Sequence, residues 1–220
     1  MTQTLQKIDA DLKAAVAEEL AWTPSVNSTH VGVAVDHGAV TLSGEVDTYP
    51  ERHLAEKAAL RVRGVVAVAE EITVRNTWGV ANDSDVAREA SEALERAVNV
   101  PDSVKAVVHE HFITLSGTVA WQYQRKAAER AVRYLRGVSG VQNTITIKPA
   151  VSTAGLKNAI SAAFVRSAQL EGNNITVTAN AGVVTLEGTV HSRSEQRQAT
   201  TAAWSAPGVT SVMNRLRLVS

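Results

Sequence analysis

Thr41-Leu-Ser-Gly-Glu-Val46 is followed 73 residues later by Thr114-Leu-Ser-Gly-Thr-Val119, and 71 residues after that by Thr185-Leu-Glu-Gly-Thr-Val190. A second anchor, Gly64-Val65, Gly137-Val138 and Gly208-Val209, keeps the same two spacings. Two anchors at matching separations identify one unit of about 70 residues written three times. The units run over 1–76, 81–149 and 151–220, with linkers at 76–83 and 149–153.

Working outward from the repeated segment, each unit opens with an amphipathic helix. Leu12, Val16 and Leu20 form its stripe in the first copy. Val86, Ala90, Ala93, Leu94 and Ala97 form it in the second, and Leu156, Ile160, Ala163 and Phe164 in the third. These recur at helical spacing. Two strands follow, the first marked by alternation of Val31, Val33 and Val35, of Val104, Ala106 and Val108, and of Ile175, Val177 and Ala179. The second strand is the repeated segment itself.

Asp36-His37-Gly38 and Asn180-Ala181-Gly182 suit a tight hairpin, because glycine accepts positive φ. The second copy has His109-Glu110-His111 there, and histidine visits that region more readily than most residues. An alanine-rich helix comes next. Its stripes are Leu54, Ala55, Ala58, Ala59 and Val62; Ala127, Ala128, Ala131, Val132 and Leu135; and Ala199, Ala202, Ala203 and Ala206. So many alanines imply a helix lying close on a sheet. Gly64, Gly137 and Gly208 are expected just past that helix as left-handed terminators. A last strand, at 71–75, 144–148 and 215–219, closes each unit.

The fold class is therefore α+β: three tandem α-β-β-α-β modules, each with two helices on one face of a small three-stranded mixed sheet. Strands one and two form an antiparallel hairpin. Strands two and three, joined by a helix, are parallel in a right-handed crossover. The other sheet face is left open, and such small units are expected to use it against one another or a partner.

Composition narrows the function classes. Hydrophobic residues make up 45% of the 220, an ordinary globular share. There are no cysteines, so disulfides, thiol catalysis and Cys-based zinc sites are excluded. Residues 1–20 scatter Lys, Asp and Glu through the stretch where a signal peptide needs an apolar run, and no stretch has the length and apolarity of a membrane span. The chain reads as soluble and cytoplasmic, attached to a membrane at most peripherally. Lys plus Arg and Asp plus Glu are both 22. Zero net charge argues against a nucleic-acid partner. The total hides a polarity of −4 over 1–76, +1 over 77–150 and +3 over 151–220. Head-to-tail attraction between molecules, or packing of copies one and three, would follow from it.

The TLSGxV segment, the alanine-rich helix, the Gly-Val pair and a final I-T-V or I-T-I strand resemble the BON domain, three times over nearly the whole chain. Gly44, Gly117 and Gly188, with Gly64, Gly137 and Gly208, fall where that family's pattern has glycine. The resemblance implies a non-enzymatic bacterial protein of osmotic stress that associates with phospholipid surfaces. It also implies, as alternatives, a scaffold or holding chaperone for protein partners, or a potassium-responsive cytoplasmic protein. Many members carry an export signal, which this sequence departs from.

No constellation for catalysis stands out. Gly44, Gly117 and Gly188 are isolated near strand ends and do not open helices as phosphate loops do. A bulge, or close approach by the neighbouring helix, explains them better. His109 and His111 lack a third ligand for a metal, and no cofactor is implied. Ser43 and Ser116 become Glu187 in the third copy, as a surface strand position can and a nucleophile cannot. Glu70 and Glu71 face opposite sides of a strand.

The sharpest local feature is 121–136. Lys126, Arg130 and Arg133 share a helical face, Arg125 and Arg136 flank them, and Trp121, Tyr123 and Tyr134 lie nearby. Cations beside interfacial aromatics suit an anionic lipid surface. These eight are the lipid-binding candidates.

Overall fold

The computed structural model describes residues 2–75, 82–148, 155–167 and 174–219, with side chains from residue 8 onward. The first module runs α1 (Thr2–Ala21), a short 3-10 turn (Ser28–His30), β1 (Val31–Asp36), β2 (Ala39–Val46), α2 (Tyr49–Arg61) and β3 (Ala67–Val74). The second runs α3 (Asp83–Arg96), β4 (Lys105–His109), β5 (Phe112–Ser116), β6 (Thr118–Val119), α4 (Gln122–Arg133), β7 (Gly140–Asn143) and β8 (Thr146–Ile147). The third runs α5 (Leu156–Arg166), β9 (Ile175–Asn180), β10 (Val183–Val190), α6 (Arg193–Trp204) and β11 (Ser211–Leu218). The linker positions 76–81 and 149–153 lie outside the described residues. Asp83, read from sequence as linker, opens α3 instead.

The order α-β-β-α-β holds in each copy. The sheets are ordered β1-β2-β3, β4-β5-β7 with a β6-β8 pair, and β11-β10-β9. β1 pairs antiparallel with β2, and β2 parallel with β3, while β9, β10 and β11 repeat this. The last strands start four residues earlier than sequence placed them. The parallel ladder begins where the hairpin turn ends, at Ala39↔Ala67 and Val183↔Ser211.

The sequence stripes are the cores. Leu12, Val16 and Leu20 join Val40, Leu42, Ala55, Ala58 and Ala59 in one cluster. Leu156, Ile160 and Phe164 join Val184, Leu186, Ala199 and Ala203 in another. The three alanines of α2 are wholly buried, so the helix does lie close on its sheet. The opposite face stays open: Ala34, Ser43 and Glu71 are exposed in the first module, and Thr176, Thr178 and Arg215 in the third.

Two glycine readings need correction. Gly208 has φ 94°, as required, but α6 ends at Trp204, so this is not the residue that terminates the helix. It is the third residue of a turn, 206–209, closed by Val209 N donating to Ala206 O. Pro207 precedes it, as suits a type II turn. Gly64 holds the same place in the turn closed by Val65 N to Val62 O. Gly44, Gly117 and Gly188 are indeed sites of close approach, yet the neighbour is not the helix. It is the carbonyl of the residue just before the first strand or its lead-in: His30, Ser103 or Asn174.

The hairpin tips use positive φ at both residues, His37 and Gly38, Glu110 and His111, Ala181 and Gly182. That is the pattern of a two-residue I′ turn. His111 accepts it at φ 64°, so the second copy keeps its turn without glycine. A carboxylate from the opening helix clamps the tip. Asp9 accepts from His37 N at 3.0 Å and Gly38 N at 3.2 Å. Asp83 accepts from Glu110 N at 2.8 Å and His111 N at 2.9 Å. The His111 N–H holds the Asp83 carboxyl below its ordinary value of 3.8, with Glu110 N–H and the His111 and His109 rings assisting, against a desolvation effect that raises it.

A lowered carboxyl stabilises the fold above its unfolded value and loses that contribution as pH falls through the folded one. The second hairpin should therefore loosen as pH drops below 3.8. Asp83→Asn should remove that part of the acid dependence. Chemical denaturation followed between pH 2 and 7 checks it; an identical acid limb in the variant refutes it.

Candidate binding surface

The described residues gather into two compact units. One comprises Met1–Ala93, Ala106–Thr114 and Arg130–Gln142, the other Leu94–Lys105, Leu115–Glu129 and Asn143–Ser220. The second module is thus divided, and so are the eight candidates. Trp121, Tyr123, Arg125 and Lys126 fall in the second unit, and Arg130, Arg133, Tyr134 and Arg136 in the first.

Within the second unit, α4 begins unlike its counterparts. In the first and third modules the residue before the helix is Thr48 or Ser192. Each hydroxyl accepts from the backbone N–H three residues on, that of Glu51 at 3.3 Å or Glu195 at 3.1 Å. The second module has Trp121 there, giving up a cap worth about 1 kcal/mol. Gln124 Oε1 compensates in part by accepting from Ala120 N and Trp121 N, each at 3.0 Å. The Trp121 ring lies 6.4 Å from that of Tyr123, centroid to centroid. With Lys126, Thr201 and Trp204 they line an open groove of about 520 Å³ between the second and third modules.

Arg125 is not available to a ligand in the way sequence suggested. It is half-buried, donating from Nη2 to Asn143 O at 2.9 Å and from Nε to Asn143 Oδ1 at 3.4 Å. Arg52 holds the same place in the first module and pairs with Glu70 at 2.6 Å. This position ties the second helix to the last strand. Tyr123, Lys126, Arg130 and Tyr134 are exposed, at i, i+3, i+7 and i+11 along α4 and just past its end. Arg136 is exposed as well, while Arg133 is half-buried.

In the first unit, Tyr134 and Arg136 line a groove of about 320 Å³ with Thr48, Tyr49, Val74 and His111. Arg52 Nη1 donates to Ser139 O at 3.4 Å, joining the first module to the second.

His109 ends β4, and Glu110 and His111 form the turn at the hairpin position expected for this segment. Among the described residues Asp9, Asp36 and His37 are close enough for a metal. Their arrangement is accounted for within the protein: Asp9 clamps the hairpin tip, and His37 Nδ1 lies 2.7 Å from Asp36 Oδ1. Glu187, where the other copies have serine, pairs with Arg215 at 3.0 Å on the open sheet face. No described helix is long and apolar enough to cross a membrane.

The profile of the BON domain matches residues 8–76, 82–149 and 152–220. The chain belongs to the BON domain family. Osmotically-inducible protein Y of Escherichia coli (strain K12) is 32% identical to this BON protein over 146 residues, 64% of this chain and 73% of that one. Two solved structures also align, with little likeness. CdsD, a structural protein of the type III secretion system of Chlamydia trachomatis, covers 95% of this chain and 92% of its own at 16% identity and a TM-score of 0.27. The periplasmic domain of the inner-membrane protein PrgH from S. typhimurium covers 92% of this chain and all of its own at 13% identity and a TM-score of 0.24. Neither carries weight for fold or function. The glycines shared by the three modules here have structural reasons; Trp121, Tyr123 and Tyr134 have no aromatic counterparts in the other modules, whereas Arg125, Arg130 and Arg136 fall on Arg52, Lys57 and Arg63 of the first.

Proposed function

We propose that this BON protein is a non-enzymatic protein of the osmotic-stress response that attaches reversibly to anionic phospholipid surfaces through the second module. The relation to osmotic stress rests on the likeness to Osmotically-inducible protein Y. The attachment rests on one observation: Tyr123, Lys126 and Arg130 are exposed on α4, and Tyr134 is exposed just past its end. Each cation near an anionic surface contributes about 1 kcal/mol, so Lys126, Arg130 and Arg136 supply about 3 kcal/mol. That suits a weak, salt-sensitive peripheral contact, with the tyrosines at headgroup depth. Arg125 keeps its charge but has Nη2 and Nε committed to Asn143, so it is not counted among the direct headgroup contacts.

The open sheet face of the first module favours a holding chaperone less: Gly32, Ala34, Ser43, Glu71 and Thr73 make it small and polar, whereas an unfolded client seeks apolar area, of which the other two modules expose Val107 and Met213.

Sedimentation with vesicles rich in phosphatidylglycerol tests the reading. Wild-type protein should pellet at low salt and release as salt rises. A Lys126→Glu, Arg130→Glu variant should lose about tenfold or more in partitioning. Wild type remaining in the supernatant at low salt refutes attachment, and equal binding by the variant refutes the role of Lys126 and Arg130.

A further inference from the structure

The two inter-module grooves are built from equivalent positions. In the first unit, Thr48, Tyr49 and Pro50 at the start of α2 face Tyr134 and the Gly137-Val138 turn that follows α4. In the second, Trp121, Gln122 and Tyr123 at the start of α4 face Trp204 and Ser205 at the end of α6. By the repeat spacing, residues 48–50 correspond to 121–123, and Tyr134 to Ser205. Each module thus presents the start of its second helix to the end of the second helix in the next. Such a junction has two unlike halves, and a chain of three modules leaves one of each unmatched.

The unmatched halves have the surface of interfaces. In the first module the positions equivalent to Glu110, His111, Gly137 and Ser139 are His37, Gly38, Gly64 and Val66. With Ile8 and Leu12 they line an open groove of about 540 Å³. Val66 is 76% exposed and Ile8 54%. In the third module Val74 and Arg75 correspond to Leu218 and Val219, which are 45% and 36% exposed. Charge assists shape: Asp9 and Asp11 line the first half beside a single Arg63, with Asp36 exposed near them, and Arg193 and Arg217 are exposed around the second. The modules themselves carry −4 and +3.

We propose that a second copy of this chain continues the junction, the start of α6 and the end of β11 of one molecule docking on the Ile8–Val66 groove of the next. The contact is heterologous, so it leads to open head-to-tail assemblies and not to a closed two-fold dimer. Attraction between the acidic and basic ends strengthens it at low salt.

Sedimentation equilibrium of the full chain tests this, with Val66→Lys blocking one half and Leu218→Lys the other. Both side chains are well exposed, and circular dichroism confirms that each variant folds. Wild type should grow in mass with concentration, beyond a dimer. Each variant should associate about tenfold or more weakly. An equimolar mixture of the two should form dimers and stop there, because only one intact pair of halves remains. Wild type that stays monomeric at every concentration overturns the proposal. So do variants that associate like wild type, or a mixture no more associated than its components. Neither substitution touches α4, so vesicle binding stands or falls separately.

Discussion

Gly188→Ala is expected to unfold the third module while the first remains folded. Gly188 sits at φ 128°, and a Cβ there would run into the carbonyl oxygen of Asn174 at the start of β9. Neither neighbour can yield. Gly188 is held in the centre of a three-stranded sheet, paired to Ile175 on one side and Leu216 on the other. The obstacle is backbone, not a side-chain end. Steric overlap and a strained φ together place the cost at about 4 kcal/mol or more. A 70-residue module has about 3.5–10 kcal/mol to lose. With Trp22, Trp78 and Trp121 replaced by Phe in each protein compared, Trp204 on α6 reports the third module's transition by fluorescence. Gly32→Ala is the contrasting case, since its Cβ would meet mainly the hydroxyl of Ser43, on an exposed face. The third-module transition should shift far to lower denaturant in Gly188→Ala, while Gly32→Ala changes little. Coincident curves for wild type and Gly188→Ala would show that the close approach is not rigid.

The reach of sequence reading follows the range of the interaction concerned. Periodicity is local, so the stripes of α1, α5 and α6 were legible, as was the alternation of Val31, Val33 and Val35 and of Ile175, Val177 and Ala179. The need for glycine at 44, 117 and 188 was legible, but the partner was not. Whether a helix or a carbonyl at 30, 103 or 174 crowds the position depends on a pairing some 14 residues back. The Asp9 and Asp83 clamps went unread for the same reason, joining a residue of the opening helix to a turn 27 to 29 residues on. Their spacing also departs by one residue from that of the other anchors, 74 against 73. At the candidate site, the basic and aromatic character of 121–136 was plain. That Arg125 is consumed by Asn143 was not, because Asn143 looks like an ordinary strand end. The inter-module junctions were the least legible, since they join surfaces whose residues differ from copy to copy: Thr48 against Trp121, Tyr134 against Ser205.

One signal was present and unused. Thr48-x-x-Glu51 and Ser192-x-x-Glu195 have the capping-box sequence, but the Glu51 carboxylate reaches past the cap residue's own N–H. It is 9% exposed. One oxygen accepts from Asn27 N at 2.7 Å, and the other from Asp47 N at 3.1 Å. It thereby fixes the loop after α1 to the segment between β2 and α2. Glu51→Leu would remove the partner of both part-buried N–H groups, which belong to exposed residues, at a cost of about 1–2 kcal/mol. Glu51→Gln should cost about half as much, because an amide offers one oxygen where the carboxylate offers two. The second module shows what that single oxygen can serve: Gln124 Oε1 takes Ala120 N and Trp121 N, adjacent in the chain. Asn27 and Asp47 are 20 residues apart, so one glutamine oxygen should keep only one of them. Hydrogen exchange gives the decisive readout. Both amides should be protected in wild type, one in Glu51→Gln and neither in Glu51→Leu. Protection of both in the leucine variant would mean that the main chain, not this carboxylate, joins the two segments.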